Sequence, residues 1–287
     1  MSSIAVVTDS DASLPQHLAQ AKNIRQVPIN IHFGDVTFQT EVDITDVSLF
    51  ERVDQEGALP TTSAPTPGQF SAAFQAALDE GYEQVFCLCV SSEVSGTYNS
   101  ALTARDLFPE GRVTVMDTRS ISMGQGYMAL EAAAAAAEGA DLDEIVRRVE
   151  SVRARTTLFG ALETLRYLAM SGRVGHLAAG MASLLNIKPL LTLRDGKLDM
   201  LEKVRTRHKV RARMMELVVE GLAGRPVERL AMIHVNALAS AEAFAAQLCG
   251  VVDCPPETIF ADFTAGLSVH TGPGMIGVVT VAADSAS

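Results

Sequence analysis

Three short stretches hold the groups best suited to binding a small anion. They are "TTSAPTPGQF" at residues 61–70, "VSSEVSGTYNSA" at residues 90–101 and "HTGPGMIG" at residues 270–277. The first places the hydroxyls of Thr61, Thr62 and Ser63 ahead of a helix start punctuated by proline. The second ends a strand and sets Ser95, Gly96 and Thr97 at the beginning of a helix. Strand carboxyl ends and helix amino termini bind anions through amide N–H groups and hydroxyls, with no formal positive charge needed. None of the three stretches carries a P-loop lysine, so a carboxylate suits them better than a triphosphate. In the third, His270 can hydrogen-bond an anion. Thr271 follows it, and the Gly-Pro-Gly turn beyond is expected to leave backbone N–H groups approachable.

The third stretch also matches the spacing G-x-G-x-x-G through Gly272, Gly274 and Gly277. A dinucleotide fingerprint needs a strand before it and a helix after it, because the helix amino terminus receives the pyrophosphate. Here "VVTVA" follows, which is β-branched and reads as a strand, and Pro273 sits inside the loop. The fingerprint therefore does not apply, and no cofactor is expected. A second enzymatic pattern lies in "VVTDSDAS", where Asp9, Asp11 and Ser13 fit the opening of haloacid-dehalogenase-like phosphatases. There the first aspartate would be a nucleophile and the second an acid/base beside magnesium. That chemistry also needs a lysine and a paired acidic motif, and Asp117 and Asp262 are single acids after strands. The phosphatase stands as the alternative, against an Asp/Ser turn that caps the first helix. Ser95 is not in a G-x-S-x-G elbow, which disfavours a serine hydrolase.

Composition narrows the partners. The formal net charge is -11 over 287 residues. Such a surface repels nucleic acid phosphates and anionic lipid heads. The opening "MSSIAVVTDS" lacks the charged and apolar regions of a secretory signal, and no apolar run approaches bilayer-spanning length. A cytoplasmic protein with no nucleic acid partner and no stable membrane insertion is expected. Cys87 and Cys89 alternate on one strand face and fit small buried hydrophobes better than metal ligands. Against the acidic background, "KVRTRHKVRARMM" at residues 203–215 is a basic cluster with Thr206 as a helix cap. It reads either as a solvated helix face or as a docking patch for an acidic partner.

These residues need elements to hold them. "SIAVVTD", "RQVPINIHF", "QVFCLCV" and "RVTVMDT" read as near-continuous apolar strands, as strands buried on both faces are. Between and after them, "PGQFSAAFQAALDEG", "GTYNSALTARDLF" and "GYMALEAAAAAAEGA" read as helices. This alternation predicts a parallel α/β/α domain over residues 1–150. A helix spans about residues 142–153. Beyond it, "TTLFGALETLRYLAMSGRVG", "KPLLTLRDGKLDML", "ERLAMIHV", "TIFADF" and "MIGVVTVA" predict strands joined by shorter links. Residues 151–287 are therefore expected to form an α+β domain with a mixed or antiparallel sheet.

In order along the chain, "VVTDSDASL", "PTTSAPTPGQF", "SSEVSGTYNSA", "MDTRSISMGQG", "LRYLAMSGRVG", "LNIKPLLTLRDGKL" and "HTGPGMIG" resemble motifs of the DegV family of bacterial fatty-acid-binding proteins. The resemblance covers nearly the whole chain. Ser13 stands where aspartate is usual, Ala64 where glutamine is common, and Ser171 where a glycine usually precedes Gly172. The resemblance implies a two-domain carrier of one long-chain fatty acid that performs no chemistry of its own. By analogy Thr62, Ser95 and His270 would hold the carboxylate, with groups at Ser63, Gly96 and Thr271 assisting. It also implies a partner, a separate fatty acid kinase that makes an acyl phosphate for phospholipid precursor metabolism. Arg205 aligns with an arginine implicated in engaging that kinase, while for Arg173, in "SGRVG", the resemblance leaves two roles open, ordering the domain junction or ordering the pocket.

Overall fold

The computed structural model describes residues 3–173 and 187–284. Of the motif residues named above, Val174, Gly175, Leu185 and Asn186 lie outside them. The chain opens with β1 (Ile4–Asp9), α1 (Gln16–Ala21), β2 (Arg25–Val27), β3 (Asn30–Phe33), β4 (Val36–Gln39) and α2 (Asp46–Glu56). It continues through β5 (Thr61–Ser63), α3 (Pro67–Asp79), β6 (Gln84–Cys89), α4 (Thr97–Arg105), β7 (Val113–Asp117), α5 (Ser122–Ala137) and α6 (Leu142–Arg155). Next come β8 (Thr156–Ala161), α7 (Arg166–Met170), β9 (Lys188–Arg194), β10 (Lys197–Val204) and α8 (Arg207–Leu222). The chain then forms β11 (Val227–His234), α9 (Leu238–Leu248), β12 (Thr258–Asp262), α10 (Ala265–Thr271) and β13 (Ile276–Ala282).

Two compact units result, Met1–Asp43 with Thr62–Ala154, and Ile44–Thr61 with Arg155–Ser287. A contiguous division near residue 150 does not describe them, because the segment carrying α2 belongs to the second unit. There α2 packs against α10, and the Phe50 ring meets Tyr167 of α7 edge-on at 6.1 Å. An apolar helix face finds its partner in space rather than in sequence order.

The first unit is built on a four-stranded parallel sheet, ordered β2-β1-β6-β7. All six residues of β1 are buried, as expected of a strand covered on both faces. Alternation along the strands decides which helix each residue meets. Val7, Cys87 and Cys89 form a core with Phe70 and Phe74 of α3 and Ala101 and Ala104 of α4. Thr8, pointing the other way, accepts a hydrogen bond from Gln125 of α5. The run "RQVPINIHF" is not one strand. Pro28 has no N–H to give a ladder, so β2 ends at Val27, and β3 restarts in a separate sheet ordered β4-β3-β5.

The second unit holds a six-stranded mixed sheet, ordered β10-β9-β8-β13-β11-β12. Only β11 and β12 pair in parallel; the other neighbours are antiparallel. Its core joins Met214, Val218 and Leu222 of α8 and Phe244 and Leu248 of α9 to Leu230, Met232 and Val278 of the sheet. The stretch after β8, expected to be strand, instead turns into α7. Leu165, the cap residue, and Leu168 inside the helix are both buried at a spacing of three, which suits a helix and not the period of two that a strand needs.

Candidate ligand-binding site

In the first unit, the two hydroxyl-rich loops are built and joined by side-chain hydrogen bonds. Thr66 caps α3 in a reciprocal capping box with Gln69. Asn30 bonds both Gln69 and the Ala64 carbonyl, which pins the 61–66 loop against β3. The Ser100 hydroxyl, in the first turn of α4, donates to the Pro65 carbonyl and so ties the second loop to the first. Asp117 accepts from the Ser92 hydroxyl and from the Ser92 and Arg119 amides, which holds the second loop at the end of β7.

Two of the candidate hydroxyls, those of Ser95 and Ser63, have partners that orient them. Ser95 Oγ accepts from the Thr97 amide at 3.3 Å and lies 2.8 Å from the Thr97 hydroxyl. When Thr97 donates through both groups, the Ser95 proton is available to an anion. Gly96, exposed, caps α4 without a side-chain hydrogen bond. Ser63 is exposed, and its hydroxyl lies 2.8 Å from His32 Nε2, while His32 Nδ1 lies 2.9 Å from the Thr37 hydroxyl. Thr37, His32 and Ser63 thus form a row across β4, β3 and β5. Thr62, between them in sequence, is half-buried. Sequence reasoning missed His32, since no local motif marks a partner on a neighbouring strand 31 residues away.

In the second unit, His270 lies in the last turn of α10 and is partly buried. Burial, with Arg173 nearby as a further positive charge, pushes its imidazole down to about 4. At neutral pH His270 is therefore an uncharged donor or acceptor. Thr271 is buried, and its hydroxyl turns back to the Ser268 carbonyl at 3.4 Å.

The glycines beyond it do not offer their amides as expected. The Gly272 N–H donates to Ser268 and the Gly274 N–H to Val235, each at 2.8 Å. Crowding explains the glycines instead. A Cβ on Gly272 would sit 2.2 Å from the Tyr167 ring, and one on Gly274 would sit 2.8 Å from Glu163 Cγ. Both residues also have positive φ, +75° and +85°.

The phosphatase alternative is not favoured. Asp9 is fully buried, and its two carboxylate oxygens accept the amides of Asp11 and Val90 at 3.0 and 2.8 Å. Burial raises its carboxyl to about 6 against those hydrogen bonds. It locks the end of β1 to the residue after β6 and presents no oxygen to a phosphoryl group. Among the described residues no cluster of His, Cys, Asp or Glu has the geometry to hold a metal. Arg205 is exposed just before Thr206, whose hydroxyl accepts from the Lys209 amide and caps α8. Cys249 and Cys254, to which the sequence assigns no role, form a disulfide after α9.

The DegV family model matches residues 3–283. The chain belongs to the DegV family. A DegV domain-containing protein of Streptomyces coelicolor is 35% identical over 276 residues, covering 96% of this chain and 97% of the relative. Among solved structures, the chain is similar to a DegV family protein from Thermus thermophilus described by its fatty acid binding. The TM-score is 0.90 at 31% identity, with 98% of this chain and 99% of that one covered. DegV from Bacillus subtilis, described as a fatty acid binding protein, matches with a TM-score of 0.87 and 29% identity, covering 99% and 100% of the two chains. The two-domain α/β architecture with one parallel and one mixed sheet is the fold of these DegV structures. No helix among the described residues is long and apolar enough to cross a membrane.

Proposed function

We propose that this DegV protein binds a long-chain fatty acid and presents its carboxylate to a separate fatty acid kinase for acyl phosphate formation, with no chemistry or cofactor of its own. The observation that carries the first half is the likeness, over nearly the whole chain, to the Thermus thermophilus protein described by its fatty acid binding. The hydroxyl-lined loops at the starts of α3 and α4 support it, because they offer donors without a fixed cation. The assignment of Thr62, Ser63, Ser95, Gly96, His270 and Thr271 to the head group rests on the motif resemblance.

The energetics fit a carrier. About sixteen carbons at ~0.8 kcal/mol per buried CH₂ contribute roughly 10 kcal/mol before ordering costs. The tail supplies affinity and the head-group donors supply orientation. Neutral donors also leave the carboxylate nucleophilic, which a bidentate arginine would not. Ser95→Ala and His270→Ala are each expected to weaken fatty acid binding by about 1.5–3 kcal/mol, the worth of a hydrogen bond to a charged group, with the fold retained. Titration of both variants with a fluorescent fatty acid checks this. Wild-type affinity in both would show that the carboxylate lies elsewhere.

A further inference from the structure

Glu163 occupies a junction that none of the sequence motifs announces. It lies two residues beyond β8, and both sheet neighbours of β8 run antiparallel to it, so β9 begins and β13 begins beside Glu163. Lys188, the first residue of β9, places its Nζ 2.5 Å from Glu163 Oε2 and 2.9 Å from the Glu163 carbonyl. Gly274, two residues before β13, packs against Glu163 Cγ so closely that it has no room for a Cβ. From a third direction Arg207, the first residue of α8, places its Nε 2.6 Å from Glu163 Oε1. Burial would raise the Glu163 carboxyl, but the hydrogen bonds from Lys188 and Arg207 outweigh it and hold the carboxyl below its usual range.

The three ties differ in strength. Lys188 and Glu163 are both mostly buried, whereas the Arg207 side chain is 67% exposed. An ion pair with one exposed partner is weak, and an incoming carboxylate can compete for it. Lys203, Arg205 and Lys209, close to Arg207 in sequence, are exposed cations as well. The same glutamate therefore touches both the surface suited to an acidic partner and the Gly272–Gly274 turn that follows His270.

We infer that Glu163 is a positioning residue that couples the cationic start of α8 to the turn after His270. An acidic surface docking on α8 draws Arg207 away from Glu163, and the turn packed on Glu163 loosens. The inference rests on the reading that α8 receives a partner and that His270 serves the ligand. It identifies how the one could act on the other within a single unit.

The test is hydrogen exchange at the Gly272 and Gly274 amides, which donate to Ser268 and Val235. The wild-type chain is measured at low salt with and without a hexaglutamate peptide, beside Arg207→Gln and Glu163→Gln. The peptide is expected to speed exchange at both amides, by at most about fivefold, the ceiling set by an exposed ion pair. Arg207→Gln should show the faster exchange without peptide and gain nothing when peptide is added. Unchanged exchange in folded Arg207→Gln overturns the coupling, as does a peptide effect of full size in that variant. A peptide that leaves wild-type exchange unchanged overturns it too. Arg207 is a surface residue, so its variant decides the matter even if Glu163→Gln unfolds. Binding of cis-parinarate, measured on the same samples, reports separately on the ligand reading. Its absence in wild type would sink that reading while the exchange data still judge the coupling.

Discussion

Replacing Gly272 by alanine tests most sharply why the chain carries its late glycine motif. Gly272 has φ +75° and ψ 169°, and an added Cβ would lie 2.2 Å from two carbons of the Tyr167 ring. That backbone region is almost confined to glycine and costs about 1–3 kcal/mol for another residue. Overpacking against a ring held by Phe50 adds about 1–3 kcal/mol. The sum, about 2–6 kcal/mol, corresponds to a fall of roughly 5–20 °C in Tm for a unit of this size. Thermal unfolding followed by calorimetry measures it. Adding Tyr167→Ala in a double-mutant cycle should recover the packing part and leave the backbone part, so rescue is partial. A Gly272→Ala protein that melts within about 1 °C of wild type would refute the argument. It would return the motif to a role in offering amides.

Two further outcomes follow from the charges. Burial, followed by the charge of Asp262, raises the Asp46 carboxyl to about 6, against 3.8 in the unfolded chain. The folded state thus holds a proton that the unfolded state releases, and stability is lost as pH rises from about 4 to about 6. Asp46→Asn is expected to stabilise the protein by about 1–3 kcal/mol above pH 6 and by nothing below pH 4, read from denaturant unfolding at both pH values. A pH-independent effect would show that the carboxyl is not perturbed. Arg205→Ala should leave fatty acid binding intact and slow acyl phosphate formation with the cognate kinase, with a deficit that shrinks at high ionic strength. Normal phosphorylation at low salt would reduce the basic face to a solvated one.

What the sequence made legible was the part governed by local rules. β1 and β6 announced themselves as continuous apolar runs, and the cap at Thr206 followed from a hydroxyl ahead of helical periodicity. The loops carrying Ser63 and Ser95 were found for the same reason. His32, which orients Ser63, was not, because it lies on the neighbouring strand of the small sheet, 31 residues away. The second unit was harder to read. A segment before residue 62 joins it from within the first, and short α7 competes with strand propensity over only five residues. The glycines of residues 272–274 were visible, but their cause, the Tyr167 ring and the Glu163 stem, is tertiary.

The central claim is that this chain is a fatty acid carrier, and the most direct measurement is denaturing solvent extraction of the purified protein with quantitative mass spectrometry of the lipid. About one acyl chain per polypeptide, or stoichiometric uptake of added oleate by protein freed of lipid, is the predicted result. Absence of any acyl chain together with no uptake of added fatty acid would contradict the account.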